Sequence, residues 1–387
     1  LKFIKKLLIT DENITFFKTY YPVAYGGVQQ VIYQLAEGAS RQGAMVDVLS
    51  LSPDGSSKNG VIGHHQVHTS RQDLYLASTG FSLSVIRDFQ ELARQADIIH
   101  YHFPWPYMDL VHFIAKANKP AVVSYHSDIV KQKYLLKLYQ PLMKRFLNSV
   151  DSVVASSPNY VATSPVLQSL IKPVEIIPFG LDPDSYQPST QPLLDKWKNQ
   201  FGERFFLFVG FLRYYKGLSF LLEAMRDIDY PLVIVGEGPC ESELKSQAIS
   251  LGLKNTHFLG ALSDEDKCAL LELCSGVVFP SHLRSEAYGM TLLEAAMYGK
   301  PMISCEIGTG TTYINQDQVT GIAVPPADPV ALKNALMTLW LDVEKSRNMG
   351  RLAKQRFSEN FTAAHMVDSY MSLYKRVIAN NAKDKHI

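Results

Sequence analysis

The stretch FPSHLRSEAYGMTLLEAAMYGKP, Phe279 to Pro301, decides how this chain is read. It opens on a short apolar strand end, Val277-Val278-Phe279-Pro280. A polar loop, His282 to Ser285, follows, and then a helical pattern expected to begin near Glu286 and to stop at Gly299-Lys300-Pro301. Strand, loop and helix in that order form one half of a βαβ unit. Glu286 and Glu294 lie eight residues apart in it. On a continuous helix that separation is ~12 Å, about the length of a sugar joined through two phosphates to a nucleoside. Exposed helix glutamates at that spacing are also ordinary surface residues, so the pair needs its context.

Outward from this stretch the same alternation repeats. Short apolar runs occur at Leu7–Thr10, Met45–Leu51, Ile98–His102, Ala121–Tyr125, Val153–Ser156 and Val174–Pro178. They restart at Phe205–Gly210, Leu232–Gly236, His257–Gly260, Val277–Pro280, Met302–Cys305 and Ile322–Val324. Helical patterns such as Val28–Arg41 and Lys131–Leu147 lie between them. Continuous apolar runs between helices are the mark of buried parallel strands. The expectation is therefore an α/β chain with two doubly wound parallel sheets. A Pro-, Asp- and Ser-rich segment, Gly180–Leu193, reads as the linker. The expected domains are 1–183 and 184–362. The last helical pattern, Ala363–Ile378, follows a polar break at Ser358-Glu359-Asn360. Periodicity does not say which domain it joins; a crossing of 363–387 back to the first is carried as an expectation.

At 387 residues, two hydrophobic cores are the default. A net charge of +1 gives no field suited to nucleic acid. Cys240, Cys268, Cys274 and Cys305 form no CxxC pair and are expected as free thiols in a reducing compartment. No apolar run reaches the ~18–20 residues that span a bilayer. The start, Leu1 to Thr10, lacks a long apolar core and small-residue cleavage site and reads as a strand, so a cytoplasmic location is expected.

In open parallel sheets, ligands bind beyond the carboxyl ends of the strands. Gly26-Gly27 opens the helix at Val28, where backbone N–H groups can approach a phosphate or sugar. His126-Ser127-Asp128 follows the strand Ala121–Tyr125. Arg213 and Lys216-Gly217 follow Phe205–Gly210, and two cations at such a turn suit a diphosphate. Gly236-Glu237-Gly238-Pro239 is a further strand-to-helix turn without the G-x-G-x-x-G spacing. Each feature alone also has a purely structural reading.

In this order, the residues resemble the retaining nucleotide-sugar glycosyltransferases of glycosyltransferase family 4, and the most specific match is the E-x7-E stretch Glu286 to Glu294. The resemblance covers nearly the whole chain. It implies the GT-B fold, two Rossmann-like domains facing a cleft. The segment His126 to Lys133 is similar to bacterial enzymes that build surface polysaccharide, such as O-antigen, on a lipid carrier, often mannosyltransferases. The resemblance implies that Glu286 binds hydroxyls of the donor sugar, with Tyr288, Gly289 and Met290 N–H groups near sugar and phosphates. Glu294 would bond the ribose, Arg213 and Lys216 would neutralise the diphosphate, and Gly26-Gly27 would face the phosphate. His126 would reach the sugar near its reacting carbon. Gly236 and the Leu259–Leu262 segment, with Leu262, would frame the base. One departure is Phe211, which stands where many relatives carry the arginine; here Arg213 is the candidate.

Bond cleavage places negative charge on the departing diphosphate, and fixed cations and helix-start amides answer it. No metal is implied, since Asp182-Pro183-Asp184 falls in the linker instead of at a strand end. No cofactor is implied beyond the nucleotide-sugar co-substrate. GDP-mannose is favoured by resemblance, with a UDP-hexose donor or a GT-B epimerase as alternatives. Front-face attack is favoured over a Glu286 nucleophile. A lipid-linked or oligosaccharide acceptor is expected. Lysines 131, 133, 137 and 144 with Arg145 interleave with Leu135, Leu138 and Leu142. Such a basic amphipathic helix, 131–147, suits the anionic inner face of a membrane; a solvated helix face gives the same pattern.

Overall fold

In the computed structural model, residues 12–20, 26–55, 57–77, 79–129 and 133–384 are described. The strand expected at Leu7–Thr10 lies outside them, as does Lys131. The chain divides into two units. One comprises Leu1–Ser156, Ser164–Phe179 and Ala363–Ile387, the other Ser157–Thr163 and Gly180–Thr362. Residues 157–163 and 180–183, read from sequence with the first domain, therefore cluster with the second.

In the first unit the apolar runs pair side by side because each is buried on both faces; Ile98–Phe103 and Ala121–Tyr125 are buried at every residue. The sheet order is Glu175–Ile176, Ser152–Ala155, Ala121–Tyr125, Ile98–Phe103, Glu12–Phe16, Met45–Ser52, His65–Arg71 and Lys58–Ile62. All neighbours are parallel except the last two, which form an antiparallel hairpin. That hairpin escapes a search for apolar runs because Lys58–Ile62 is an exposed edge and edge strands need no buried face. The order reverses between Glu12–Phe16 and Ile98–Phe103. The strand Ala121–Tyr125, which delivers His126, lies next beyond them.

The C-terminal helix, Ala363–Asp384, completes this unit. Its Tyr370 and Tyr374 are buried, and their hydroxyls reach Ser124 Oγ at 2.6 Å and His100 Nδ1 at 2.7 Å. Gln42, the residue that ends the neighbouring helix Gly27–Arg41, donates through Nε2 to Asp368 Oδ1 of this C-terminal helix at 2.7 Å.

The second unit has a six-stranded, all-parallel sheet. Its order is Thr256–Gly260, Leu232–Val235, Phe206–Val209, Gly276–Phe279, Met302–Cys305 and Gly321–Val324. Phe206, Phe208, Leu221, Leu222, Val278 and Leu336 are fully buried in its core. The strand order reverses between Phe206–Val209 and Gly276–Phe279. Ligands bind open α/β sheets at such a reversal. The two strands that flank it carry Arg213 and Lys216 on one side and the Glu286 stretch on the other.

The helix of the Phe279–Pro301 stretch is shorter than the sequence suggested. It spans Met290–Met297, so Glu286 lies in the preceding loop and only Glu294 is helical. Gly289 sets this start: its φ of 100° is left-handed, and a side chain there would press on Leu292 and Phe279, 3.1 and 3.3 Å away. The ~12 Å helical spacing between the two glutamates therefore does not apply.

Candidate functional site

At the reversal of the second sheet, the turn after Phe206–Val209 and the loop after Gly276–Phe279 are stitched together. His282 N donates to Tyr215 O at 3.0 Å, and Thr291 Oγ1 donates to Val209 O at 3.2 Å. This brings Lys216 Nζ to 2.5 Å from Glu286 Oε2. Ser281 Oγ donates to the same oxygen at 3.3 Å. The ammonium also stands 4.7 Å from the Phe279 ring centroid and 5.6 Å from that of Tyr215. The lysine and glutamate side chains are only 12% and 13% exposed. The pair is thus a preset cation and carboxylate with limited water access, in which each partner lowers the cost of keeping the other charged. Burial, ahead of the surrounding charges, raises the Tyr215 phenol above its ordinary value.

Arg213 does not join this pair. It is exposed, and its guanidinium carbon lies 5.0 Å from the centroid of the Phe211 ring. Tyr288 and Gly289 are buried and Met290 is half-buried at the helix start. That short helix has neither a side-chain cap nor an acidic residue in its first turn.

Glu294 is separately held. It is buried, and its Oε1 takes Lys267 Nζ at 3.0 Å and the Tyr186 hydroxyl at 3.0 Å. Lys267 also reaches Asp264 at 3.0 Å. Burial works against the Lys267 charge, but the carboxylates of Glu294 and Asp264 outweigh it and hold the lysine above its ordinary value. Lys267 and Tyr186 were not singled out in sequence. Tyr186 lies in the expected linker, which is ordered: Leu181 N donates to Phe361 O at 3.0 Å, and Asp184 N donates to the Asp182 side chain at 3.1 Å. No periodic signal marks a loop tyrosine whose partner is 108 residues away.

Gly236 has a structural reason to be glycine. A side chain there would fall 2.0 Å from Gly210 O, and its N–H donates to Gly260 O at 2.7 Å. Leu262, past the end of Thr256–Gly260, is half-buried. Among the described residues, no group of three or more His, Cys, Asp or Glu could hold a metal ion. Cys268, Cys274 and Cys305 are buried free thiols, and Cys240 is half-buried and free.

In the first unit, Gly26 caps the helix Gly27–Arg41 with extended backbone, and both glycines are exposed. His126 is buried. Its Nε2 is 2.8 Å from His102 Nδ1, and the two rings stack at 5.1 Å. Phe179 covers it at 5.1 Å, and Phe17 lies 6.4 Å away. Burial, and then the nearby Lys18 charge, lowers its pKa to about 3, so the imidazole is neutral at neutral pH.

Residues 192–356 match the family described as glycosyl transferases group 1, and residues 25–185 match glycosyltransferase family 4. The chain is 56% identical over 349 residues to the D-rhamnosyltransferase WbpZ of Pseudomonas aeruginosa, covering 90% of this chain and 91% of that protein. The chain belongs to the group 1 glycosyltransferases. A second member of this glycosyltransferase family, O-antigen chain mannosyltransferase C of Escherichia coli, is 50% identical over 366 residues, covering 95% and 98% of the two chains. Sucrose-phosphate synthase from Thermosynechococcus elongatus superposes with a TM-score of 0.78 at 20% identity, covering 95% of this chain and 100% of that one. The fold is GT-B.

Proposed function

We propose that this glycosyltransferase moves a mannose-type hexose from a GDP-linked donor onto a lipid-linked or oligosaccharide acceptor in O-antigen assembly, with retention and without a metal. The observation that carries the reading is the Lys216–Glu286 pair at the sheet reversal. Lys216 is the cation for the departing diphosphate, aided by Arg213 once it swings off Phe211, and by the Tyr288, Gly289 and Met290 N–H groups. Gly26-Gly27 is a phosphate contact. Glu286 binds sugar hydroxyls, His126 touches the sugar, and Glu294 holds the ribose. Gly236 and Leu262 border the base. A preset charge such as that of Lys216 stabilises a leaving diphosphate without reorganising, and the departing phosphate then takes the acceptor's proton in a front-face attack.

The sugar assignment draws on the relatives' names. One is called a D-rhamnosyltransferase and the other a mannosyltransferase. D-Rhamnose is 6-deoxymannose, so the two sugars differ only at carbon 6. A UDP-hexose remains the alternative donor.

The acceptor reading places the helix Lys133–Ser149 at an anionic membrane surface. Its Leu135 and Leu138 are 52% and 81% exposed, beside exposed Lys137, Lys144 and Arg145. Among the described residues no helix is long and apolar enough to cross a membrane.

The test is a transfer assay with GDP-mannose, GDP-D-rhamnose and UDP-glucose on extracted lipid-linked acceptor, for the native chain and Glu286→Gln. Transfer from a GDP-linked sugar that collapses in Glu286→Gln supports the reading. Undiminished transfer by the variant removes Glu286 from the site, and turnover without acceptor favours an epimerase.

A further inference from the structure

Glu286 stands in irregular chain between the strand Gly276–Phe279 and the helix Met290–Met297, so no regular element fixes it. A turn does. Glu286 N donates to Leu283 O at 3.0 Å, closing a four-residue turn in which Arg284 takes the second place. The turn is held by the loop that follows the neighbouring strand, Met302–Cys305. Arg284 Nη1 donates to Gly308 O at 3.0 Å and to Thr163 Oγ1 at 2.7 Å. The two hydrogens on that nitrogen serve the two acceptors. Thr163 Oγ1 is itself within hydrogen-bond distance of Gly308 O, so the three atoms close a ring. Beyond Glu286, Gly310 N donates to Ala287 O at 2.9 Å. The loop 306–310 therefore grips the chain two residues before Glu286 and again one residue after it.

The grip is close. A Cβ on Gly308 would lie 3.1 Å from Thr163 Cγ2 and 3.2 Å from Arg284 Nη1, and one on Gly310 would lie 3.0 Å from the Tyr288 Cα. Thr163 comes from a distant part of the chain. Its short helix, Pro158–Thr163, clusters with the second unit, although the residues up to 156 and from 164 to 179 cluster with the first. That helix brings Thr163 to Gly308, the Tyr160 ring centroid to 5.1 Å from the Arg284 guanidinium carbon, and Asn159 Nδ2 to 3.2 Å from Thr312 Oγ1. These contacts converge on residue 284 and residues 308–312, the chain that braces the Glu286 turn.

We infer that Arg284 is a positioning residue: with Thr163 and Gly308 it fixes the Leu283–Glu286 turn, and so the point from which Glu286 meets the donor sugar. It acts through Glu286 and touches no ligand. This rests on the reading that Glu286 binds sugar hydroxyls. A misplacement of ~1 Å in such a group costs ~10²-fold in rate, so a group carried on irregular chain depends on what clamps that chain.

The experiment is transfer kinetics of the full chain at varied donor concentration, with unfolding midpoints, for Arg284→Met, Thr163→Val and Thr163→Ser, and for Arg284→Met combined with Glu286→Gln. Arg284→Met keeps an unbranched stem without donors and is expected to lower kcat roughly tenfold while donor KM moves less than about threefold. Thr163→Val keeps the branched shape and loses the acceptor oxygen at an exposed position, so it carries the test even where Arg284→Met folds poorly. It is expected to lower kcat by about threefold or more, and Thr163→Ser, which keeps the oxygen, to restore it. On top of Glu286→Gln, Arg284→Met is expected to add less than about twofold, since its route to the sugar is already cut. A full further loss in that background overturns the inference, because Arg284 then acts apart from Glu286. A loss confined to donor KM also overturns it and makes Arg284 a ligand contact. Native kcat in both Arg284→Met and Thr163→Val, beside a Glu286→Gln chain that still collapses, overturns the clamp and leaves the Glu286 reading standing. A Glu286→Gln chain that transfers at the native rate removes Glu286 from the site and the inference with it.

Discussion

Glu286 and Glu294 look alike in sequence and differ in surroundings. Glu286 faces a lysine in a half-open loop, and Glu294 is locked by Lys267 and Tyr186 inside the fold. Glu286→Gln is expected to cut kcat by roughly 10²–10³-fold with little change in donor KM. Glu294→Gln is expected to raise donor KM by about tenfold and to leave kcat nearly intact; comparable kcat losses at constant KM in both would contradict the division of roles. The buried histidines give a pH signature. Burial lowers His100 and His126 to about 3 and His112 to about 4, against an ordinary 6.5. Between those values the unfolded chain binds protons that the folded chain refuses. Stability of the first unit is therefore complete above pH 6.5 and falls as pH drops toward 3, by at most about 1.4 kcal/mol per pH unit for each histidine. Urea unfolding at stepped pH, followed by a probe in the first unit, checks this, and a His112→Asn variant should show a shallower slope.

At the scale of elements, the decisive boundary is the start of the helix Met290–Met297. A left-handed glycine, not a polar cap side chain, turns the chain there. Gly289→Ala is expected to cost about 1–3 kcal/mol, because the new methyl meets Phe279 and Leu292 and the φ of 100° is unfavourable. Denaturant unfolding of the second unit measures the cost, and donor affinity should fall with it since the Tyr288–Met290 N–H groups would turn. An unchanged midpoint would mean that the loop absorbs the strain. The helix Lys133–Ser149 makes an independent prediction. Leu138→Ser with Lys137→Glu should weaken binding to vesicles rich in anionic lipid while leaving it unchanged for neutral ones. Equal binding of native and variant chains would return this helix to the class of solvated faces.

At the scale of the whole molecule, the chain order and the spatial order differ. The helix Ala363–Asp384 follows the second unit in sequence and packs in the first, where Tyr370 and Tyr374 satisfy Ser124 and His100. Ending the chain at residue 362 is expected to unfold the first unit while the second keeps a cooperative transition, which calorimetry of the truncated chain would show as one lost peak. Two transitions in the truncated chain would mean that the first unit folds without this helix. Donor choice also belongs here. A thermal-shift comparison of GDP, UDP and ADP should raise the second unit's midpoint most for GDP, since binding to the folded state stabilises by mass action.

The amino-acid order by itself determined the repeating strand–helix rhythm, the two sheets and the placement of Lys216, Glu286 and His126 at strand ends. These follow from local periodicity, and a parallel strand buried on both faces must be apolar along its whole length. The exposed edge strand Lys58–Ile62 was not legible, because an edge strand obeys no such rule. Only the tertiary structure decided that Lys216 pairs with Glu286, that Glu294 answers to Lys267 and Tyr186, and that His102 stands behind His126. Those partners are 70, 27, 108 and 24 residues apart. Contacts at such separations are set by which strands lie side by side at the sheet reversal, and no local pattern encodes them. The glutamate pair in Phe279–Pro301 thus lost its helical spacing, because one left-handed glycine moved the helix start past Glu286.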